Sequence, residues 1–300
     1  MYNDFSLIKD RLAFGMAGAL DNGAFSPSYN YVELYLNGSY KGVYLLTDQV
    51  DENKGRTGVK SDFGEGDAAV PFLVELDARA PEEGVEGVDW FYAGGRAYAI
   101  KYPEADERYA EEQFLYIKGY IEKVDALCRT PGVTLDALAE YIDIQSFIDF
   151  YIVEEVMGQP EINWKSVYMS KTADGKLIMG PVWDFDWAAN GPSTGRYRNM
   201  YRKDYAGFRS VDNWFMALYE GSSEFREALR VRFSEVKDGL YATLASVSDE
   251  RENIRLGAKK NNLRWHAHRP WANFKRNSDE VISWCENRIL WLDGELSFAE

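Results

Sequence analysis

The residues best suited to chemistry lie in one stretch, from Glu154 to Gly191. Its Pro, Gly and alternating aromatic positions predict a helix end, a hairpin and a loop, and such junctions often present polar groups at a cleft. The polar residues in question are Glu161, Asn163, Lys165, Asp184 and Asp186. Because carboxylates bind hard cations, this pattern predicts a metal and phosphate site.

The segment WDFD carries the strongest of these signals. In an extended chain alternate side chains point to the same side, so Asp184 and Asp186 would face one way and the neighbouring aromatic residues the other. Two converging carboxylates suit Mg²⁺, which binds a few carboxylates together with substrate phosphate oxygens. In the alternative interpretation, the two acids cap a helix or pair with Arg196 or Arg198.

Other enzyme classes have less support. Glycosidases also use paired carboxylates, and aromatic residues, at 15% of the chain, suit stacking on sugars, so a carbohydrate-active protein is a third hypothesis. A serine hydrolase is poorly supported, because His266 and His268 are the only histidines and no Gly-x-Ser-x-Gly motif occurs. We interpret both histidines as structural.

Composition and charge narrow the possible partners. The 300 residues suffice for one large domain or two closely packed ones. The net charge of −15 argues against a nucleic-acid partner, because binding to a phosphate backbone uses clustered Lys and Arg. No apolar run long enough for a membrane span occurs, and the opening residues lack a secretory signal pattern. Cys128 and Cys285 fit one bridge or two buried thiols, of which we favour thiols.

The first third of the chain is predicted to be rich in strands. Apolar spacing over residues 4–20 predicts a core-facing helix, and the dipeptide Asn37-Gly38 then predicts a tight hairpin turn. After a polar, Gly-rich loop, a short apolar strand carries Glu75, and a Gly-turned hairpin ends at Lys101.

The remaining chain is predicted to be mostly helical. Residues 134–157 predict two helices that meet near Asp143, and the strand-like segments VYMSK and KLIMGPVWDFD, joined by a turn at ADG, predict a hairpin that includes WDFD. Residues 192–210 are basic and aromatic and predict a surface loop or lid. Further helices follow, including a separate one from about Asp249 to Trp265, and the last helix is expected to dock on the domain.

Taken together, these motifs resemble the spore coat protein H (CotH) kinase family, a group of bacterial and eukaryotic atypical kinases. The segments that carry the resemblance are LYLNGSYKGVYLLTDQV, FLVELD, IKYPEADE, KSVYMSKTADGKLIMGPVWDFDWA and WCENRILWLD. The resemblance implies an α+β, protein-kinase-like fold with an antiparallel sheet in the first third, mostly helical last two thirds, and some family N-terminal strands missing. It further implies one domain over 1–300, with a strand-rich part (1–105) and a helical part (106–300) that carries WDFD.

The resemblance also implies an activity, the transfer of phosphate from ATP to Ser and Thr hydroxyls of a protein substrate with Mg²⁺ or Mn²⁺. Asp184 would be the main metal ligand, and Asp186 would assist it. Lys101 would bind the nucleotide phosphates, with Glu75 as its ion-pair partner. For this family, a spore coat or an extracellular surface is the implied location.

Two positions depart from the family pattern. Glu161 stands where the family has a catalytic Asp, and Ser166 stands where an Asn supplies a second metal contact. The extra methylene of Glu shifts its carboxylate by about 1.5 Å, and misplacement of about 1 Å can lower a rate ~10²-fold. Asn163 is a further candidate metal ligand. The second hypothesis is therefore a non-catalytic binding or surface-assembly protein of the same family.

Overall fold

The computed structural model describes residues 3–21, 23–108, 110–189, 212–269 and 272–297. The helices, in chain order, are α1 (Lys9–Leu20), α2 (Ala80–Glu83), α3 (Glu111–Cys128), α4 (Leu135–Ala139), α5 (Ile144–Met157), α6 (Trp214–Gly221), α7 (Ser223–Trp265) and α8 (Phe274–Ser297). The strands are β1 (Tyr29–Leu36), β2 (Ser39–Thr47), β3 (Phe72–Leu76), β4 (Trp90–Ala93), β5 (Arg96–Tyr102), β6 (Val167–Lys171) and β7 (Ile178–Met179). The segment 192–210, with Arg196 and Arg198, lies outside the described residues.

A five-stranded antiparallel sheet in the order β4-β5-β3-β6-β7 forms the centre of the molecule. Its middle strand β3 is buried along its whole length, which its apolar sequence Phe-Leu-Val-Glu-Leu explains. On one face Val74 packs in the main core, and on the other Leu73 packs with Val59 and Tyr102. The sheet joins strands from both sides of residue 105, and the predicted α+β class with antiparallel strands is confirmed.

The predicted hairpin is present as β1 and β2, which form a separate two-stranded sheet. Asn37 and Gly38 both have positive φ, 49° and 74°, as a tight turn requires. The hairpin lies on α7, where Asn261 Oδ1 accepts a hydrogen bond from the backbone N–H of Val43 (3.1 Å). A side chain at Gly42 would collide with Asn261, which explains the glycine.

Helix α7 is longer than the sequence indicated, since it runs unbroken for 43 residues. The expected separate helix from about Asp249 is its second half. No proline lies between Ser223 and Trp265, so nothing forces an interruption, and the Ser222 hydroxyl caps its first turn by accepting from the N–H of Phe225 (3.2 Å).

Helix α5 is the most buried helix of the core. Every residue from Ser146 to Met157 is buried. Asp143 accepts a hydrogen bond from the N–H of Ser146 (2.7 Å) at its start, which confirms the predicted helix boundary. Cys128 and Cys285 are buried free thiols, as favoured from the sequence. In the described part of the chain, no helix has the length and hydrophobicity to cross a membrane.

Two adjacent acids on α5 have opposite surroundings. Glu155 forms a buried ion pair with Arg288 of α8. Burial alone raises the pKa of Glu154 well above its ordinary value, and its Oε2 has no hydrogen-bond partner among the described residues. Burial therefore favours the neutral form of the Glu154 carboxyl in the folded protein.

Replacing Glu154 with Gln is expected to stabilise the protein progressively as pH rises. The folded-state pKa is raised, so above about pH 4.5 the unfolded chain loses this proton while the folded chain keeps it, and the free energy of unfolding falls with pH. Gln has no ionisable proton, so Glu154→Gln lacks this decrease in the free energy of unfolding. Melting temperatures at pH 5 and pH 8 check this, with the exposed Glu122→Gln as control. An equal effect of Glu154→Gln at both pH values would contradict it.

Candidate functional site

The candidate site lies between the end of α5 and the start of β6. Helix α5 ends at Gly158, which has the left-handed φ of 60° that favours glycine. A Cβ at this position would lie 2.8 Å from the indole of Trp284 on α8, so the sharp exit is fixed by packing as well as by backbone preference. The chain then turns through Glu161 and enters β6 at Val167.

Three carboxylates converge at this junction. One oxygen each from Glu161, Asp184 and Asp186 lies within 4.8 Å of the others. Glu161 is 4% exposed, whereas both aspartates are partly exposed. The two aspartates thus lie together as expected, but WDFD is not a strand, and the left-handed backbone of Asp184 (φ 61°) contributes to their convergence in place of simple alternation.

The backbone of Asp184 is held in this unusual conformation by specific contacts. Gln159 Nε2 donates a hydrogen bond to its carbonyl oxygen (2.8 Å). The Ser166 hydroxyl donates to its Oδ2 (3.2 Å), so Ser166 lies beside the cluster, as predicted. Left-handed non-glycine residues cost of order 1–3 kcal/mol and persist where neighbours fix them, often at functional sites.

A lysine lies among the three acids. Lys165 Nζ is 2.9 Å from Glu161 Oε1 and 3.5 Å from Asp184 Oδ2. The second oxygen of Glu161, Oε2, is buried and has no hydrogen-bond partner among the described residues. Such an oxygen is costly unless a ligand or water satisfies it, so Glu161 retains an acceptor for a polar ligand or a water molecule.

Burial governs the electrostatics of the cluster. It raises the pKa of Glu161, although the hydrogen bond and charge of Lys165 act in the opposite direction. Burial also raises the pKa of Asp186, and the nearby charge of Asp184 adds to this. A bound cation would relieve both effects by supplying positive charge.

Helix α1 holds the WDFD loop from the other side. Asp10 Oδ1 accepts a hydrogen bond from the N–H of Phe185 (2.7 Å), and Lys9 Nζ donates to the carbonyl oxygen of Asp186 (3.0 Å). Burial raises the pKa of Asp10 to about 7 and lowers the pKa of Lys9. Asn3 Nδ2 donates to Asp186 Oδ2 (3.2 Å). The loop that carries the aspartates is thus fixed by residues far away in sequence.

Lys101 and Glu75 form an ion pair, as the sequence predicted. Their charged atoms lie 2.9 Å apart on the adjacent strands β5 and β3. Tyr168, opposite Glu75 on β6, hydrogen-bonds to the same carboxylate, and burial followed by the charge of Glu75 raises the pKa of the tyrosine. Asp184 acts on Tyr168 electrostatically as well, which links the pair to the acidic cluster.

Asn163 has a different environment from the one expected for a metal ligand. Its Oδ1 accepts a hydrogen bond from Asn213 Nδ2 (3.0 Å), so that oxygen already has a protein partner. The sequence pattern included Lys165 in the predicted metal and phosphate site, and its spacing of four from Glu161 places the two side chains on one side of a helical turn. Gln159 and Asp10 were not predicted as part of the site.

The cluster fits one hard cation. Asp184 and Asp186 offer carboxylate oxygens from partly exposed side chains, and one carboxylate oxygen of Glu161 lies within 4.8 Å of them. Oxygen ligands of this kind suit Mg²⁺ or Mn²⁺. A cation bound there would neutralise phosphate charge, while the protein residues around it fix its position.

The fold and site define an α+β protein with a cluster of acids at the junction of a core helix and a sheet hairpin. A family model described as CotH kinase protein matches residues 1–292. The chain belongs to the CotH kinase family. Among curated proteins, no match is found.

Proposed function

We propose that this protein is an ATP-dependent phosphotransferase that uses Mg²⁺ or Mn²⁺ and acts on Ser or Thr hydroxyls of a protein substrate. The observation that carries the proposal is the convergence of Glu161, Asp184 and Asp186 in a chain of the CotH kinase family. Phosphoryl transfer requires positioning and charge stabilisation more than covalent chemistry, and a carboxylate cluster beside lysines supplies groups for both.

Each residue has a role that follows from its surroundings. Asp184 and Asp186 would hold the cation, with Ser166 and Gln159 keeping Asp184 in place. Glu161 Oε2 can accept a hydrogen bond from the acceptor hydroxyl and orient its oxygen. Lys101, 37% exposed at its side chain and oriented by Glu75, would contact the nucleotide phosphates.

A non-catalytic binding or assembly protein is the second candidate function. It is favoured by the positive charge of Lys165 within the cluster and by the hydrogen bond that occupies Asn163. Both features reduce the oxygen ligands and the negative charge available to cations. This candidate predicts that the acids stabilise the fold or a partner contact and do not support transfer.

Two measurements separate these candidates. Calorimetric titration with ATP and Mn²⁺ tests binding, and labelled ATP tests transfer to the protein itself or to a Ser-rich peptide. The phosphotransferase is supported by saturable heat together with label that appears on Ser or Thr. Saturable heat without transfer supports the non-catalytic protein, and the absence of heat excludes the nucleotide site.

Replacing Lys101 with Met is expected to weaken ATP binding about 10-fold or more, because a hydrogen bond to a charged group contributes about 1.5–3 kcal/mol. Calorimetry measures the Kd in the presence of Mn²⁺. Lys118→Met removes the same charge from an exposed helix pair and should leave the Kd unchanged. Lys101→Arg keeps the charge beside Glu75 and should bind ATP more tightly than Lys101→Met. Equal affinity in wild type and Lys101→Met would remove Lys101 from the site.

A further inference from the structure

The position of Lys165 carries an inference that deepens the proposed function and rests on it. We propose that the Lys165 ammonium is a built-in cation of the site, so that the carboxylate cluster binds one divalent cation and not two. The ammonium group of Lys165 supplies positive charge to the cluster in place of a second metal ion.

The first argument is geometric. The backbone N–H of Lys165 donates to the carbonyl oxygen of Glu161 (3.1 Å), which closes a single turn and brings the two side chains to the same side. The ammonium then lies 2.9 Å from Glu161 and 3.5 Å from Asp184. A group held by its own turn beside Glu161 and Asp184 occupies a position that a second cation at these acids would need.

The second argument is the balance of charge. Three ionised carboxylates and one ammonium carry a net charge of −2, which one divalent cation neutralises. Without the lysine the charge would be −3, and a second divalent ion would be better accommodated. Since unit charges about 4 Å apart interact by about 4 kcal/mol at an effective dielectric constant of 20, the lysine strongly disfavours a second cation nearby.

The third argument concerns the ligands. Protein kinases hold two Mg²⁺ ions with the help of an Asn oxygen in addition to an Asp. Here the Ser166 hydroxyl donates to Asp184 and the Asn163 oxygen accepts from Asn213, so each of these side chains is already oriented by a hydrogen bond within the protein. The carboxylates that converge at the cluster are those of Asp184 and Asp186, with one oxygen of Glu161. These ligands suffice for one cation.

The test is a titration of the full chain with Mn²⁺ in the absence of nucleotide. Electron paramagnetic resonance measures the concentration of free Mn²⁺ at each step. We expect Lys165→Met to bind Mn²⁺ at least 10-fold more tightly than wild type, since it removes the competing charge. Lys165→Arg keeps the charge and should bind like wild type. Lys118→Met is the matched control, because Lys118 also pairs with a Glu four residues away, on the exposed face of α3.

A second titration with a non-hydrolysable ATP analogue counts the ions. The Mn²⁺ bound by free nucleotide is subtracted from the total. Wild type should then bind one Mn²⁺ at the cluster, and Lys165→Met should bind two. Unchanged Mn²⁺ affinity in folded Lys165→Met, no Mn²⁺ binding by either protein, or two ions in wild type would each overturn the proposal. If Lys165→Met is unfolded by circular dichroism, Lys165→Gln replaces it under the same criteria.

The two proposals can fail separately. The titration without nucleotide does not depend on ATP binding or transfer. A 10-fold change in Mn²⁺ affinity with no ATP binding would overturn the phosphotransferase and support the role of Lys165. If phosphate transfer occurs and the Mn²⁺ affinity of Lys165→Met equals that of wild type, the phosphotransferase is supported and the role of Lys165 is overturned.

Discussion

Replacing Asp184 with Asn is expected to lower phosphoryl transfer at least ~10³-fold. The carboxylate lies at the centre of the acidic cluster, and charge stabilisation by a correctly held cation contributes several kcal/mol to such reactions. Asn keeps the size of the side chain and tolerates the left-handed backbone at this position better than most residues do, so the fold should be retained. Initial rates with labelled ATP and Mg²⁺ measure the effect.

A matched control exists in the β6–β7 hairpin, which precedes the WDFD loop. Asp174 is exposed in the turn between β6 and β7, and Asp174→Asn makes the same chemical change without touching the cluster. It should transfer phosphate at the wild-type rate. If Asp184→Asn kept more than a tenth of the rate while its melting temperature was normal, the role assigned to Asp184 would be wrong.

Replacing Glu155 with Gln is expected to lower the free energy of unfolding by about 3–5 kcal/mol, the usual cost of removing one partner of a buried ion pair. Glu155 is fully buried, and the side chain of Arg288 is 8% exposed. Its Nη2 donates to the Glu155 carboxylate, and its Nε donates to the backbone carbonyl oxygen of Glu155. Gln removes the negative charge that faces the guanidinium. Because the pair joins α5 to α8, the loss should appear in urea denaturation of the whole protein.

Two neighbouring variants test that explanation. Glu252→Gln removes the acid of an exposed pair with Arg255, and such pairs contribute little, so its urea midpoint should match wild type. Glu154→Gln changes the adjacent residue on the same buried helix but should be neutral or stabilising at pH 8. A loss in Glu154→Gln as large as in Glu155→Gln would indicate general disruption of α5 and not the loss of an ion pair.

Features set by local sequence were predictable. The Asn37-Gly38 turn, the cap at Asp143 and the buried strand β3 each depend on a few adjacent residues whose conformational preferences are strong. The ion pair of Lys101 with Glu75 was expected from the family resemblance, and the structure contains it. The length of α7 was underestimated because the polar sequence near Asp249 weakens the apolar pattern, although no helix-breaking residue interrupts it.

The site was only partly predictable, because several contacts join residues distant in sequence. Glu161, Ser166, Asp184 and Asp186 could be grouped from their motif, and the structure brings them together. The bond from Phe185 to Asp10 spans 175 positions, and nothing in either local sequence indicates it. The Asn163 side chain accepts a hydrogen bond from Asn213, which caps the start of α6 much later in the sequence.

The contacts between the WDFD loop and α1 determine when the site can form during synthesis on the ribosome. Lys9 and Asp10 are synthesised long before their partners Asp186 and Phe185. Trp284, which packs at Gly158, is synthesised later still. A nascent chain that stops before α8 lacks part of the framework around the cluster. The surroundings of the acidic centre are therefore completed only after α8 has been synthesised.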